Sequence, residues 1–340
     1  MNIHEVAQAA GVSVATVSRV VNHPELVAEK TRARVLAVLE QKRYAPNAEL
    51  RTRSAKRKQA IALVIPSLME YRLTLDGVRQ IGNAKNYGVQ LCVTDYDEPE
   101  LIRNVRALAA QQIDGVILAG QIGSESAYRT LREAGIPVVC INSLKRGGNE
   151  DICYINYGES AGKLAQYAIE SGNRSAVLIL SNRYSGCREK FEKGFRETWY
   201  AAGYPETSLR VVNAEESFKG GAQAMEAILT ANVFPDLIVA QYDEMAVGAM
   251  KAAQEQKISI PKQLRFMGFF DTPVSSAVTP ELTTIEQPTY RLGVASARRL
   301  FDIMEDQDYF DVESQEIVLK GRLKIRRSCG NKKSIYELYD

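Results

Sequence analysis

The residues with the most specific chemistry lie near the N-terminus, in a short segment of small polar side chains around one arginine. Arg19 can donate two parallel hydrogen bonds to the edge of a guanine, the commonest base-specific contact in proteins that read DNA. Ser18 and Asn22 fall on the same side of a helical wheel as Arg19, whereas Val17 and Val20 fall on the opposite side. The segment therefore predicts a helix that packs by its apolar face and binds DNA by its polar face.

Two further helices are expected to hold this segment in place. Residues 3–10 have apolar side chains at helical spacing, Gly11 permits a tight turn after them, and Ser13 is a good N-cap for the next helix. Two short helices around a glycine turn, braced by a third over about 28–43, form a helix-turn-helix whose second helix enters the major groove. The residues expected to be buried on the third helix are Val35, Leu36 and Leu39.

Charge is distributed unevenly along the chain. Residues 1–58 carry 11 Lys and Arg against 5 Asp and Glu, although the whole chain of 340 residues has a net charge of only +2. Five of these basic residues lie within 47–58. A basic head on a mildly acidic body indicates a polyanionic partner at one end only.

Several protein classes are excluded by composition and by the motifs that the sequence lacks. Both histidines, His4 and His23, precede residue 25, so the remaining chain has none for a Ser-His-Asp site or a His-ligated metal. The five cysteines are widely spaced, which predicts free thiols in a reducing compartment. No GxxxxGK[ST], HExxH or GxSxG motif, signal peptide or apolar run of membrane-spanning length is found. We therefore expect a cytoplasmic protein with no membrane partner, which is not an enzyme and uses no cofactor or metal.

The body of the chain alternates strand-like and helix-like segments. The first strand is an apolar run at 61–65 that ends at Pro66, and helical stretches separate most of the later strands. This alternation predicts an α/β fold of parallel sheets covered by helices. About nine strands exceed one sheet, so we expect two sheets that share a cleft at the carboxyl ends of their strands. The other predicted strands are 89–93, 115–118, 137–141, 175–180, 209–213, 236–240 and 264–269.

The chain resembles the LacI/GalR family of bacterial repressors. The residues that carry the resemblance are Ile3, Glu5-Val6-Ala7, Ala10-Gly11-Val12-Ser13, Thr16 to Asn22 and Tyr44-Ala45-Pro46-Asn47. Weaker motifs, which we interpret mostly as packing and turn chemistry, extend it along nearly the whole chain around Asp114, Asp243, Gly268 and Thr284.

This resemblance implies a periplasmic-binding-protein-like core whose chain crosses between two lobes near Gly158, Gln287 and Lys320. The implied domains are a helix-turn-helix at 1–46, a hinge linker at 47–58 and a core at 59–340. The core divides into an N-lobe (about 59–158 and 288–319) and a C-lobe (about 159–287 and 320–340).

The resemblance also implies which residues contact DNA. Val14, Ala15 and Arg19 match positions that read bases, although the first two are equally suited to helix packing. In the family a linker leucine wedges into the minor groove; here that position holds Arg53, so either Leu50 takes the role in a shifted register or the operator is bent less. The full predicted set is Ser13, Val14, Ala15, Thr16, Ser18, Arg19, Asn22, Lys30, Thr31, Asn47, Leu50 and Arg53.

Effector contacts in the family come from loops that follow strands in both lobes. Arg188 is the best charged candidate, because an arginine can clamp a hydroxyl, a carboxylate or a phosphate; a plain surface arginine is the alternative. Tyr242 and Phe270 are aromatic where sugar-binding members often have polar residues, so they either stack a ring or fill the cleft. The loop at 66–71 also departs from the family pattern. The predicted effector-binding residues are Ser67, Leu68, Asn142, Arg188, Glu215, Tyr242 and Phe270.

Together these features predict a transcription regulator, a repressor, that binds palindromic double-stranded operator DNA as a homodimer. Its predicted effector is a small carbohydrate-related molecule between the lobes: a sugar, a sugar acid or a sugar phosphate, with anionic ligands favoured by Arg188. The alternative is an effector-free or protein-gated DNA-binding regulator whose cleft is vestigial.

Overall fold

The computed structural model consists of a helical head and an α/β core. It describes residues 3–13, 16–17, 20, 27–41, 58–121, 123–143, 150–183, 185–232, 234–305 and 314–330. No helix within these ranges is long and apolar enough to span a membrane. The same ranges contain no group of three His, Cys, Asp or Glu side chains that could hold a metal ion.

The head contains three helical segments. They are α1 (Ile3–Ala10), a segment that includes Thr16, Val17 and Val20, and α2 (Glu29–Gln41). The bounds of α1 are those that the sequence predicts, and α2 lies within the predicted 28–43. Apolar side chains from all three segments form one buried cluster: Val6, Ala7, Ala10, Val17, Val20, Val35 and Leu39.

Leu36 is a correction to the predicted core of the head, because 47% of it is exposed. Val35 and Leu39 lie one helical turn apart on the buried face of α2. Leu36 follows Val35 by about 100° around the helix, which turns its side chain away from that face.

The first sheet of the core has six parallel strands in the order β11-β5-β4-β3-β1-β2. They are β1 (Ala60–Ile65), β2 (Gly88–Val93), β3 (Gly115–Ala119), β4 (Val138–Ile141), β5 (Asp151–Ile155) and β11 (Glu316–Leu319). Its helices are α3 (Leu68–Ala84), α4 (Glu98–Ala110), α5 (Ser124–Glu133) and α11 (Thr289–Glu305). Alternate residues of β1 pack on α3 and α11 or on α4 and α5, which explains its continuous apolar run.

The second sheet has four parallel strands in the order β7-β6-β8-β9. They are β6 (Ala176–Ser181), β7 (Leu209–Ala214), β8 (Leu237–Ala240) and β9 (Arg265–Met267). Its helices are α6 (Tyr157–Glu170), α7 (Gly186–Ala201), α8 (Phe218–Thr230), α9 (Asp243–Glu255) and α10 (Val274–Ala277). A separate antiparallel pair joins β10 (Thr284–Glu286) and β12 (Arg322–Lys324). We call each sheet with its helices the first lobe and the second lobe.

The described residues form twelve strands rather than the predicted nine or so. The eight segments predicted by position are all strands, with bounds that differ by a few residues at most. The four that sequence reading missed are β5, β10, β11 and β12. These are short or carry polar residues, and β11 and β12 pair with strands far away in the sequence, so no local apolar run marks them.

The chain passes three times between the lobes within the described residues, at Asn156, at Gln287 and at Lys320–Gly321. The buried hydroxyl of Ser160 lies 3.5 Å from Gln287 Oε1 and accepts a hydrogen bond from the Gly321 amide at 3.3 Å. One hydroxyl at the start of the second lobe therefore contacts both of the other crossing segments.

All five cysteines are buried and unpaired, which confirms the predicted free thiols. Burial raises the pKa of Cys140 and of Cys153 to about 12. Both thiols therefore stay protonated at neutral pH and pack as small apolar side chains.

Candidate functional site

The loops that follow the strands of the two sheets meet in a cleft between the lobes. On the first lobe, Ser67 follows β1 and Asn142 follows β4. On the second lobe, Tyr242 follows β8 and Phe270 follows β9. Side chains at the carboxyl ends of parallel strands are thus brought together from both lobes.

A carboxylate from the first lobe lies at the centre of this cleft. Glu70, in the first turn of α3, accepts a hydrogen bond from the hydroxyl of Tyr96 at 2.8 Å and another from the hydroxyl of Tyr242. Burial raises the pKa of Glu70 above its ordinary value, the two hydrogen bonds oppose this, and the nearby Glu216 adds to it. The hydrogen bond from Tyr242 joins the two lobes directly.

Aromatic rings form the wall opposite Glu70. The rings of Tyr242 and Phe270 are stacked, with centroids 5.1 Å apart and planes 9° apart. Tyr157 lies 6.1 Å from Phe270, and Phe269 packs edge-on against Phe270 at 5.9 Å. Tyr242 is buried, whereas Phe270 remains half-buried, so the stack presents part of one ring to the cleft.

Asn142 connects two tyrosines at the edge of the cleft. Its Nδ2 donates to the hydroxyl of Tyr71 at 3.3 Å and to that of Tyr157 at 3.2 Å. Its Oδ1 accepts from the amide of Ile155 at 3.0 Å. The residue has a φ of +50°, a conformation that asparagine tolerates better than most residues. The predicted effector contact Asn142 is therefore engaged by the protein's own groups.

A buried aspartate holds the loop that carries Phe270. Asp243, the first residue of α9, accepts hydrogen bonds from the amides of Phe269, Phe270 and Thr272 at 3.0, 3.4 and 2.6 Å, and from the Thr284 hydroxyl at 2.7 Å. Burial raises its pKa to about 6, although these hydrogen bonds oppose the shift. In the motifs around Asp243 and Thr284 these contacts are of the packing and turn type that the sequence favours for most of the core motifs.

Polar groups of the second lobe line the floor beside Tyr242. The Ser181 hydroxyl donates to Glu216 at 2.6 Å and accepts from the amide of Arg183 at 2.9 Å. Gln241 is fully buried, and its Oε1 accepts from the Ser181 amide at 3.0 Å. The Gln241 side chain also lies close enough to the Cys187 thiol to lower its pKa, against the larger effect of burial.

Three of the predicted effector residues are exposed or contact another residue of the second lobe. The Arg188 guanidinium donates to Asn213 Oδ1 at 2.8 Å. Leu68 and Glu215 are both exposed. The residue after Glu215 is the one that lies near Glu70, because Glu216 accepts from Ser181 and raises the pKa of Glu70. Glu216, rather than the predicted Glu215, is therefore the acidic residue of this loop that lies near Glu70.

Sequence reading did not single out Glu70 and Tyr96, which make the central contacts of the cleft. A signal for Glu70 was present, because the loop at 66–71 departs from the family pattern at this point. Tyr96 lies in a turn with a φ of +63°, and no motif marks it. Its role follows only from the fold, which brings the loop after β2 next to α3.

The head places some of the predicted DNA contacts on an exposed side. Ser13 precedes the second helical segment; its Oγ accepts from the Thr16 amide at 3.2 Å and lies 2.9 Å from the Thr16 hydroxyl. Lys30 is exposed and Thr31 half-buried near the start of α2. The other predicted DNA contacts lie outside the described residues: Val14, Ala15, Ser18, Arg19, Asn22, Asn47, Leu50 and Arg53.

Two family profiles match the chain. Residues 2–47 match the profile described as bacterial regulatory proteins, lacI family, and residues 165–329 match that of a periplasmic binding protein-like domain. Catabolite control protein A of Priestia megaterium is 28% identical over 331 residues, which cover 96% of this chain and 99% of that protein. The HTH-type transcriptional regulator DegA of Bacillus subtilis (strain 168) is 29% identical over 301 residues, which cover 87% and 89%.

A similar fold is found in solved structures. The structure of a complex of the transcriptional regulator CelR with cellobiose is 26% identical in sequence, with a TM-score of 0.70. The similarity covers 96% of this chain and 99% of that one. The similarity therefore extends over nearly the whole length of both chains.

Proposed function

Because the chain belongs to the lacI family of bacterial regulatory proteins, which are DNA-binding transcriptional regulators, we propose that it represses transcription as a homodimer controlled by a carbohydrate-related ligand. Family membership confirms the predicted α/β fold and the prediction of a DNA-binding regulator rather than an enzyme. The main support for ligand control is the cleft, where Glu70 faces a stack of aromatic rings from the other lobe. Bacterial operator DNA lies in the cytoplasm, which is the proposed location.

The proposed domains are the head at 1–46, the hinge linker at 47–58 and the core at 59–340. Within the core we propose lobes at about 59–158 with 288–319 and at about 159–287 with 320–340. The three crossings at Asn156, Gln287 and Lys320–Gly321 support these limits, because strands on either side of each crossing belong to different sheets.

The proposed dimer follows from how a helix-turn-helix reads DNA. One head contacts only a few base pairs, so specificity requires two heads on a palindromic site and hence a two-fold symmetric dimer. Exposed apolar side chains on helix α3 are consistent with a surface for self-association. Leu68, Met69 and Leu73 are 45, 43 and 37% exposed. Sedimentation of a monomer at micromolar concentration, together with a footprint of one half-site, would contradict this proposal.

Contacts to the operator are proposed for the exposed side of the head and for the linker. Arg19 is proposed to read a base, and Lys30 to contact phosphate. In a selection of binding sites from random DNA, Arg19→Ala should relax the preference at one operator position and cost about 1–3 kcal/mol, whereas Lys30→Ala should weaken all sites alike. An unchanged site preference for Arg19→Ala would place base reading elsewhere. The remaining proposed contacts are Ser13, Val14, Ala15, Thr16, Ser18, Asn22, Thr31, Asn47, Leu50 and Arg53.

A carbohydrate-related ligand is proposed for the cleft between the lobes. A relative that covers almost the whole chain is known as a complex with cellobiose. Stacked aromatic rings suit the apolar face of a sugar, and a carboxylate suits its hydroxyl groups. The proposed contacts are Glu70 and Tyr96, together with four of the residues predicted from the sequence: Ser67, Asn142, Tyr242 and Phe270.

Thermal unfolding of the full-length protein against a panel of sugars, sugar acids and sugar phosphates tests this ligand. A specific ligand at about 100 times its Kd should raise the free energy of unfolding by about 2.7 kcal/mol. The same compound must also change the affinity for the operator, measured by fluorescence anisotropy. Stabilisation without any change in DNA affinity would contradict control of repression by this cleft.

One observation favours a second candidate function, a regulator whose cleft binds no small molecule. The rings of Tyr157, Tyr242 and Phe270 pack against one another, and the hydroxyl of Tyr242 donates across to Glu70, so groups of the protein itself contact each other between the lobes. An open groove of about 660 Å³ lies elsewhere, between α6 and α7, and offers a surface to a protein partner. This candidate predicts that no compound of the panel stabilises the protein or changes its operator affinity.

A further inference from the structure

Glu70 is an acceptor with unused capacity at the centre of the cleft. Tyr96 and Tyr242 both donate to its Oε1. No donor of the described residues reaches its Oε2. A carboxylate has about four acceptor positions, so Glu70 can accept further hydrogen bonds from a bound molecule.

Two carboxylates, those of Glu70 and Glu216, and one guanidinium, that of Arg183, lie near each other in this part of the cleft. Glu216 lies close enough to raise the pKa of Glu70, and the exposed Arg183 opposes it less strongly. Lys190 is half-buried, and its Nζ lies over the ring of Tyr154, 5.5 Å from the centroid. Burial and the charge of Glu70 raise the pKa of the neighbouring hydroxyl and thiol groups, which therefore remain neutral: Tyr96, Tyr242 and Cys187.

We infer that the ligand donates hydrogen bonds to Glu70 in place of Tyr242 and is an uncharged sugar or an amino sugar, not a sugar acid or a sugar phosphate. This inference rests on the proposed function, because it takes a carbohydrate-related ligand as given. Hydroxyl and ammonium groups are donors to a carboxylate. An anionic group would instead lie beside Glu70 and Glu216 in a space with little water, where like charges repel strongly.

The position of Arg188 removes the reason to expect an anionic ligand. The sequence favours sugar acids and sugar phosphates because an arginine can clamp them, but the guanidinium of Arg188 donates to Asn213 on the same lobe. The stack of Tyr242 on Phe270 adds apolar surface rather than charge. The ligand is therefore recognised by Glu70 and by neutral groups.

Matched sets of sugars test the inference, because the members of a set share their ring and most of their hydroxyl groups and differ in charge at one position. Glucose, glucosamine, glucuronate and glucose 6-phosphate form one set, galactose, galactosamine, galacturonate and galactose 6-phosphate a second, and cellobiose with cellobiouronate a third. Each is titrated into the full-length protein at pH 7.5 by isothermal calorimetry. In the set that binds, we expect the neutral or the amino member to bind at least about tenfold more tightly than the acid, because like charges brought together cost several kcal/mol.

Variants of the two partners in the cross-lobe hydrogen bond should change the affinity in opposite directions. Glu70→Gln should weaken binding of the neutral sugar about tenfold and abolish the discrimination against the acid. Tyr242→Phe removes the competing donor and keeps the ring, so it should tighten binding. The matched control is Glu226→Gln on the exposed side of α8, which should change neither affinity. Thermal unfolding without ligand shows that each variant is folded.

The outcomes separate the inference from the proposed function. If an acid or phosphate member binds most tightly, or if Glu70→Gln leaves the affinities within twofold of the wild type, the inference is wrong and ligand control survives. If no member of any set binds while the operator is still bound, ligand control by a carbohydrate fails, and the inference fails with it. If Glu70→Gln does not fold, Tyr96→Phe takes its place. This variant should weaken binding of the neutral sugar, because it leaves Oε1 of Glu70 less well oriented. Unchanged binding in Tyr96→Phe would overturn the inference.

Discussion

The two walls of the cleft are held in different ways. On the second lobe, the loop that carries Phe270 donates three hydrogen bonds to a single buried carboxylate, that of Asp243, which accepts a fourth from Thr284 in β10. On the first lobe, Glu70 is held by tyrosine hydroxyls, one of which belongs to the opposite wall. The second wall is therefore a fixed surface, whereas the arrangement of the first wall depends on what occupies the cleft.

The fixed wall has a second anchor behind it. Arg326 donates to Asp271 Oδ1 at 2.6 Å, to Ser275 Oγ at 2.9 Å and to the carbonyl of Leu282 at 2.9 Å. Both charged side chains are largely buried. No comparable ion pair reaches Glu70 or Asn142 within the described residues, where only uncharged groups donate. A ligand that competes for hydrogen bonds can therefore displace partners on the first wall but not on the second.

The largest expected effect comes from removing the centre of the fixed wall. Asp243→Ala leaves three amides and one hydroxyl without their acceptor in a buried site, which should lower the free energy of unfolding by about 3 kcal/mol or more. Urea denaturation followed by circular dichroism measures this loss. Asp302→Ala on the exposed side of α11 is the control and should stay within about 0.5 kcal/mol of the wild type. A loss below 1 kcal/mol for Asp243→Ala would show that the wall is not held by this carboxylate.

A smaller loss of stability is expected from a substitution at Gly268, where the fixed wall has no room for a side chain. A Cβ at Gly268 would lie 2.0 Å from Asp243 Oδ1 and 2.9 Å from Leu282 Cδ2. Gly268→Ala must therefore push Asp243 out of place, at a cost of about 1–3 kcal/mol in the free energy of unfolding. Gly186→Ala is the matched control, since nothing lies within 4 Å of a Cβ there. Equal stability of the two variants would mean that Asp243 can shift at little cost in free energy.

The head and most of the sheets could be predicted from sequence because their signals are local. The turn at Gly11, the stripe of valines and the apolar runs of eight strands each lie within a few neighbouring residues. Tyr242 and Phe270 were also placed correctly after their strands, since the end of an apolar run marks the edge of a sheet.

The partner of Tyr242 could not be predicted in this way. Glu70 lies 172 residues away in sequence, and only the packing of the two lobes brings the two side chains together. The same reason explains the missed strand β11, which pairs with β5 from the far end of the core. The burial of Leu36 was predicted wrongly for a different reason. Val35, Leu36 and Leu39 together extend around more of helix α2 than the face that is buried.

The fixed wall should also give the protein a characteristic dependence of stability on pH. Burial raises the pKa of Asp243 from 3.8 in the unfolded chain to about 6. The folded protein therefore holds this proton more tightly than the unfolded chain, and the resulting stability, complete below pH 3.8, is lost as the pH rises towards 6.

Comparison with Asp243→Asn isolates this effect, because the other carboxyl groups are common to both proteins. The free energy of unfolding of the wild type minus that of the variant should fall by at most about 1.4 kcal/mol per pH unit over this range and then level off. Urea denaturation at intervals of half a pH unit measures the difference. A difference that rises with pH would mean that the carboxylate, not the protonated acid, is the form that the wall stabilises.

The smallest loss of stability is expected on the first wall. Two variants there should lose a similar free energy of unfolding but should increase hydrogen exchange in different parts of the protein. Tyr242→Phe and Tyr96→Phe each remove one hydroxyl that donates to Glu70, at a cost of about 1 kcal/mol. Only the first of these hydrogen bonds crosses between the lobes. Tyr242→Phe should therefore increase hydrogen exchange at the three crossing segments, around Asn156, Gln287 and Gly321, because the lobes separate more often.

Tyr96→Phe serves as the control for that experiment, since its hydroxyl joins two parts of the same lobe and its loss leaves the lobes tied together. Exchange should then rise only in the turn around Tyr96 and in the first turn of α3. Equal protection of the crossing segments in the two variants would mean that Ser160, which contacts Gln287 and Gly321, holds the lobes together without help from Glu70. The cleft would then have two fixed walls, and a ligand could change DNA affinity only by altering the crossings themselves.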